Sequence, residues 1–421
     1  MKFVLKTLIF FLLYTIVFRP QYFFLPASVN VTFGIIGILS YVLFNKEWIL
    51  NNEGWEGIKP IFDSVLPFLV IAVLSGIFNL GGDGYFIKYA VSVFLSFFSL
   101  FTPVYLIYKV YGNVRFETIL NYLILCNIVY LTLAVAMFLL PGLRDVLLSL
   151  LNSEERTLEA LQITEGLRLQ AFGTSFFNAG VMEGFFLVLL ALCVKFEMFE
   201  KNGRIFLLLC ILIFGLISFF LARTAVIGLL MALFILMTYY LGQSKRNIGE
   251  PITVIVVCVL AVVGIFACNP HVLDNFSSMF LWAFEAFYNY SYTGSFETYS
   301  TSTTLGMFEI IPDNIKTWMI GDSLWIDSRG AYYMETDVGW LRMTFYFGVL
   351  GVLSMLFYFF HSLRTIYVNH LYNYWGDKGY FAFRMMLIYV MIMNLKGFAD
   401  IFYLSILFYY CECNSPSNET E

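Results

Sequence analysis

The sequence predicts an all-α integral membrane protein, and three observations support that prediction. Of the 421 residues, 60% are apolar and only 13% are charged, and the mean hydropathy is +0.80. A soluble domain of this length carries about a quarter charged residues, roughly twice the share found here. The apolar residues also form runs long enough to cross a bilayer, which takes about 20 residues each. A soluble enzyme, a nucleic-acid-binding protein and a disordered chain are therefore excluded.

The apolar runs predict about 12 transmembrane helices within a single polytopic domain that covers residues 1–421. They lie at 3–18, 23–44, 61–80, 89–108, 118–140, 173–194, 205–221, 225–242, 251–268, 341–360, 381–395 and 398–413. Backbone groups find no hydrogen-bond partner in lipid, so each run should be helical, and the unalternating pattern does not suit a barrel. The first run lacks a small-residue cleavage site, which predicts an uncleaved first span.

The distribution of positive charge predicts that both termini lie in the cytoplasm. More than half of the 24 lysines and arginines fall in segments on the N-terminal side of the membrane. The short turns of the opposite side hold only Arg19, Lys88, Arg223 and Lys396. Cytoplasmic loops carry the excess of lysine and arginine, and an even number of spans agrees with this orientation.

Two longer polar segments are predicted to lie outside the cytoplasm. Residues 141–172 form an external amphipathic loop, in which 147–169 has charges and leucines spaced as in a helix on the membrane surface. Residues 269–340 form a large external loop rich in aromatic residues, serine and threonine. Loops of this size are usually functional.

Four arginines lie at predicted span ends on the outer side, where the orientation rule does not favour them. They are Arg168, Arg223, Arg329 and Arg342. Each arginine either anchors a helix end to lipid phosphate or faces a shared polar cavity. A guanidinium offers two parallel charge-assisted hydrogen bonds and keeps its proton. A cluster of these groups would therefore hold a lipid diphosphate headgroup.

Two further features belong to the same side of the predicted bundle. Glu183 lies inside a predicted span, where it either pairs with a polar group of another helix or lines the same cavity. Aromatic residues of the large loop, Trp325 among them, lie near acidic residues. They either form platforms for sugar rings or an interfacial aromatic belt, and both interpretations stay open.

Three motifs in chain order resemble the O-antigen ligase and polymerase superfamily. The first is the Arg168, Gly173 and Asn178 pattern before a middle span; the second is the hairpin Ala222-Arg223-Thr224-Ala225; the third is the pair Trp340-Leu341 followed by Gly348 and Gly351. The large outer loop before the third motif also fits. Together the motifs cover residues 168–351.

One departure distinguishes the two branches of this superfamily. Ligases begin the third motif with histidine and asparagine, whereas this chain has Asp337 and Val338. The resemblance therefore favours the polymerase branch, the Wzy type. It implies a multispan, GT-C-like glycosyltransferase of the bacterial inner membrane that makes an O-antigen polysaccharide. Its donor would be an oligosaccharide on undecaprenyl diphosphate at the outer face, without a nucleotide sugar, metal or other cofactor.

The resemblance also implies roles for individual residues. Arg168 and Arg223 would stabilise the leaving diphosphate, and Asp337 would accept the proton of the acceptor hydroxyl. The residues expected to bind substrate are Arg342, Arg329, Glu335, Asn178 and Trp325. A single displacement inverts the anomeric carbon, which is the expected outcome. The expected partners are the lipid-linked oligosaccharide, the bilayer and a chain-length regulator.

Three alternatives remain at this stage. An O-antigen ligase would use the same donor, but Asp337 stands where it needs histidine. A lipid-linked oligosaccharide flippase has a similar number of spans and no need of the large external loop. A secondary transporter should show paired halves, which this sequence lacks.

Overall fold

The protein is all-α in the residues that its computed structural model describes, which are 2–44, 55–152, 166–241 and 270–411. Within these ranges the chain forms helices, and strand-like pairing is limited to isolated bridges. The predicted all-α class is therefore confirmed for this part of the chain. The fold separates into two compact units. The first unit comprises Met1–Arg19, Phe24–Cys126 and Ser300–Glu421, and the second comprises Pro20–Phe23 and Asn127–Tyr299.

The helices follow the apolar runs of the sequence. The chain begins with α1 (Lys2–Phe18), α2 (Val29–Phe44), α3 (Trp55–Phe78), α4 (Tyr85–Tyr111) and α5 (Phe116–Leu139), which passes from the first unit into the second. The second unit continues with α6 (Pro141–Ser149), α7 (Phe176–Lys195), α8 (Lys201–Leu221), α9 (Ala225–Leu241), α10 (Pro270–Ala283) and α11 (Glu285–Thr293).

The chain then returns to the first unit. This part contains α12 (Tyr299–Met307), which begins at the unit boundary, α13 (Ile315–Ile320), α14 (Gly339–Arg364), α15 (Tyr372–Trp375), α16 (Lys378–Met393) and α17 (Phe402–Ser405). A π turn, Thr365–His370, extends α14, and short 3₁₀ turns lie at Tyr333–Glu335 and Ile406–Tyr410. The predicted large loop thus contains several short helices.

Six of the described helices are long and apolar enough to cross a membrane. They are α3, α4, α5, α7, α8 and α14 with its π turn. Helices α2 and α9 are apolar but shorter. The run at 251–268 lies outside the described residues. The run at 398–413 is helical only in short pieces between residues 402 and 410, about 14 Å or half of a hydrocarbon core. The count of 12 spans stays a prediction.

Most of the amphipathic helix predicted at 147–169 lies outside the described residues, so that helix stays a prediction. In the described part, α6 begins at Pro141 and ends at Ser149. The backbone next pairs with another segment of the second unit, because the Phe23 amide donates to the Leu150 carbonyl and the Asn152 amide to the Gln21 carbonyl. These bonds take the chain out of the helix, and residues 153–165 lie outside the described ranges.

Helix α14 is broken in the middle, which the apolar run did not predict. Gly348 has φ 71° and ψ −171°, a conformation that residues with a Cβ atom rarely adopt. The break frees the carbonyls of Phe345 and Tyr346 from the helix. The amide of Asp322 donates to the first at 2.7 Å, and the amide of Ser323 donates to the second at 2.8 Å. The chain after α13 therefore packs against the break backbone to backbone.

Candidate functional site

Two of the predicted catalytic arginines lie close together in the second unit. The amide of Leu169 donates to the carbonyl of Phe220 at 3.0 Å, which ties the segment after Arg168 to the end of α8. Arg223 lies in the tight turn between α8 and α9. Burial and then repulsion by Arg223 lower the pKa of Arg168 to about 10. The two guanidinium groups thus lie close enough to repel each other, and that of Arg168 is partly buried.

The Arg168 guanidinium has no counter-ion within the described part of the chain. Its contact there is with the ring of Phe176, whose centroid lies 3.9 Å from the guanidinium carbon. An aromatic face stabilises a cation by about 0.5–2 kcal/mol, which is less than the cost of taking that charge out of water. This arrangement leaves the N–H groups of Arg168 able to donate hydrogen bonds to an anion.

Arg223 has a counter-ion, which comes from the start of α11. Its Nη1 donates to Oε2 of Glu285 at 2.6 Å, and its guanidinium carbon lies 4.6 Å from the Trp282 ring centroid. The other oxygen of Glu285 accepts the backbone amide of Tyr299 at 3.1 Å. The side chains of Arg223 and Glu285 are 25% and 28% exposed, so the pair borders water. An incoming anion would compete with Glu285 for Arg223.

A small cavity in the same unit has Arg168 in its wall. Its volume is about 130 Å³, room for about four waters at their share of liquid volume. Its lining residues are Met137, Phe138, Pro141, Arg144, Gly166, Arg168 and Gln170. Arg144 also pairs with the exposed Asp145 at 3.0 Å. The wall thus combines two guanidiniums with apolar side chains, which suits an anion attached to a hydrocarbon chain.

Asn178, predicted to bind substrate, lies in the first turn of α7 and is exposed. The segment before α7 is held by the hydroxyl of Tyr130, which donates to the Thr174 carbonyl at 2.5 Å. Two residues after Asn178, a Cβ atom at Gly180 would collide with the Thr224 hydroxyl. The absence of a side chain at Gly180 therefore lets α7 contact the turn that carries Arg223.

The predicted site residues of the first unit form a separate group. Arg342 is only 6% exposed, and its guanidinium carbon lies 3.6 Å from the ring centroids of both Trp325 and Tyr332. Its Nη2 donates to the Trp325 carbonyl at 3.3 Å, and Trp325 stacks on Tyr85 at 4.2 Å. Arg342 and Trp325 are therefore brought together as a packed pair, and their role towards a substrate stays a prediction.

Arg329 and Glu335 are also brought together, on the surface of the first unit. The Arg329 guanidinium lies 2.9 Å from Glu335 and 2.8 Å from Asp327. The hydrogen bond that the Arg329 side chain donates to Asp327 raises the pKa of Arg329. Asp337 is exposed, and its amide hydrogen points to the sulfur of Met307 at 3.3 Å. Its carboxylate has no hydrogen bond within the described residues, and its predicted catalytic role stays a prediction.

Comparisons with protein-family models, with curated proteins and with solved structures find no match. The family resemblance therefore depends on the sequence motifs alone.

Two charged residues with notable contacts, Arg144 and Asp400, were not identified from the sequence. Arg144 was missed because it was read as part of the amphipathic segment, although an arginine just after a span end was a usable signal. Asp400 accepts the Tyr89 hydroxyl at 2.5 Å and the Tyr358 hydroxyl at 3.2 Å in the first unit. An aspartate inside a predicted span was the signal for it.

Proposed function

We propose that this protein is a polysaccharide polymerase that moves a growing glycan from undecaprenyl diphosphate onto a lipid-linked repeat unit. The reaction would take place at the outer face of the bacterial inner membrane, and the product would be an O-antigen polysaccharide. The observation that supports this most is the partly buried Arg168, which has no counter-ion in the described chain and lies near Arg223 and in the wall of a cavity that Arg144 also lines.

The chemistry needs little more than charge stabilisation and a proton acceptor. The acceptor hydroxyl oxygen would form a bond to the anomeric carbon of the donor sugar. The bond from that carbon to the diphosphate oxygen would break, and the diphosphate would leave with the electron pair. A carboxylate would take the hydroxyl proton, and one displacement would invert the anomeric carbon.

Arg168 and Arg223 would stabilise the charge that the leaving diphosphate gains. Charge-assisted hydrogen bonds aimed at developing charge are commonly worth about 3–4 kcal/mol for each donor. The low polarity around Arg168 strengthens such a bond, because less solvent screens it. Arg144 would contact the same anion from the other side of the cavity.

The cavity also supports a lipid rather than a water-soluble donor. Met137, Phe138 and Pro141 provide an apolar wall next to the guanidinium groups. A polyprenyl diphosphate has the same two parts, an anionic head and a hydrocarbon tail. The long apolar helices are in keeping with a bilayer on which such a carrier diffuses. The proposed polymerase would have 12 spans in a GT-C-like bundle, with both termini in the cytoplasm. A chain-length regulator would be its partner.

A deletion strain of the source bacterium tests this function against the ligase and flippase alternatives. Without a polymerase, single repeat units remain on the lipid A-core, and the wild-type gene restores long chains. Without a ligase, the core stays bare while polymer remains on the carrier. Without a flippase, repeat units stay inside the cell. Long chains restored by the wild type and not by Arg168→Ala would support the proposal, whereas a bare core in the deletion strain would refute it.

A further inference from the structure

Glu183 is an acidic side chain in the most enclosed helix of the second unit. Every residue of α7 from Ala179 to Val194 is buried, and Glu183 itself has no exposed surface. Its Oε2 accepts two hydrogen bonds, one from Nδ2 of Asn127 on α5 at 3.2 Å and one from the Ser218 hydroxyl on α8 at 2.9 Å. Both donors are neutral.

Two oxygens of this cluster have no partner in the described part of the chain. They are Oε1 of Glu183 and Oδ1 of Asn127, and both are buried. Each unpaired buried acceptor costs about 1–3 kcal/mol, and an unpaired buried charge costs more. An ionised Glu183 would leave both oxygens unsatisfied, since a carboxylate and an amide oxygen only accept.

We propose that Glu183 is permanently protonated and forms a closed acid–amide pair with Asn127. The proton on Oε1 would be donated to Oδ1 of Asn127, while Nδ2 of Asn127 already donates to Oε2. One proton thereby removes the buried charge and satisfies both unpaired oxygens. The Ser218 hydroxyl keeps its bond to Oε2, so one neutral cluster joins α5, α7 and α8.

The cluster positions the turn that carries Arg223. The Ser218 carbonyl accepts the amide of Ala222 at 2.8 Å, so the residue that binds Glu183 also closes the last turn of α8 before Arg223. On α7, one turn away, Gly180 contacts Thr224 at the other side of the same turn. Glu183 is therefore a positioning residue, and this second part of the inference rests on the proposed function.

Infrared spectroscopy of the purified full-length protein in nanodiscs tests the protonation directly. The difference spectrum between wild type and Glu183→Gln at neutral pH should contain the C=O stretching band of a protonated carboxyl group, shifted in deuterated buffer. A difference spectrum that contains carboxylate bands instead would overturn the proposal. This readout does not depend on any enzymatic activity.

Paired substitutions test the positioning. Glutamine reproduces every hydrogen bond of a protonated Glu183, so Glu183→Gln should keep its Tm within about 2 °C, whereas Glu183→Ala and Asn127→Leu should each lose about 5 °C or more. Asn121→Leu, on an exposed position of α5, is the matched control and should change little. Polymer length should follow the same order. Loss of polymer in Glu183→Gln would overturn the inference, because the site would then need an exchangeable proton.

Discussion

Arg223 donates to Glu285 at 2.6 Å, across 62 residues of sequence. This ion pair links the turn between α8 and α9 to the start of α11. It also sets a contrast with Arg168, which lies near enough to repel Arg223 but pairs with no carboxylate in the described residues. An anionic ligand can thus replace the counter-ion of Arg223. The same ligand can serve as the counter-ion of Arg168.

Removing the competing carboxylate should tighten anion binding. In Glu285→Gln the neutral amide no longer neutralises Arg223, so inorganic pyrophosphate should bind several-fold more tightly by titration calorimetry. The pair borders water, so the loss of stability should be about 1 kcal/mol or less. Glu297→Gln, an exposed position of the same loop, is the control. Equal affinities in wild type and Glu285→Gln would show that Arg223 does not meet the anion.

Replacing Arg168 should separate stability from function. The lowered pKa of Arg168 shows that its charge is held at a cost, so Arg168→Met should raise the stability by about 1 kcal/mol while polymer formation falls about 100-fold or more. Thermal unfolding and glycan gels measure the two effects. Arg384→Ala, an exposed arginine of α16, should change neither. A variant that loses stability and keeps its polymer would contradict the proposed role.

The break in α14 should not tolerate a side chain. A Cβ atom at Gly348 would enter the backbone of Met319, and its φ of 71° adds a conformational cost of about 1–2 kcal/mol. Gly348→Ala should therefore lower the Tm in detergent by several degrees. Gly306→Ala is matched, because Gly306 is helical and has open space around it. Similar melting of both variants would mean that α14 runs straight.

The surface turn around Asp327 should lose protection in acid. Burial raises the pKa of Asp327, but the bonds from the Arg329 side chain and from the amides of Ala331 and Arg329 outweigh it, so the pKa lies below its usual value. A lowered carboxyl pKa stabilises the turn above about pH 3.9 and stops doing so as the pH falls through the folded pKa. The protection factors of residues 326–332, which are exchange rates corrected for the intrinsic effect of pH, should be high at neutral pH and fall at the lower pH.

Asp327→Asn provides the check on that interpretation. Its protection factors should be low at both pH values, because the amide keeps the shape of the side chain but loses the charge that binds Arg329. If the wild-type protection factors are the same at both pH values, the carboxylate does not hold this turn.

The helices were largely predictable, because burial in lipid or protein requires apolar runs whatever the neighbouring elements are. Helix α5 and helix α7 match their predicted spans within a few residues for this reason. The break at Gly348 was not predictable, because it depends on amides of Asp322 and Ser323 that lie before the helix in the chain. Local hydrophobicity contains no information about that pairing.

In the candidate site, too, some features were predictable from the sequence and others were not. The positions of Arg168 and Arg223 at span ends identified them as unusual without any structure. Their partners were not predictable, since Glu285 lies in a long loop whose path the sequence does not define. Arg342 was predicted to bind substrate, and its stacking between Trp325 and Tyr332 needed coordinates to be seen.

Direct binding of pyrophosphate to the purified protein tests the central claim most directly. Two charge-assisted contacts of about 1.5–3 kcal/mol each predict that the double variant Arg168→Ala, Arg223→Ala binds inorganic pyrophosphate about 100-fold more weakly than wild type, or worse. Undecaprenyl diphosphate in nanodiscs should show the same loss, with Arg384→Ala unchanged. Wild-type affinity in the double variant would contradict the account, because these guanidinium groups would then hold no diphosphate.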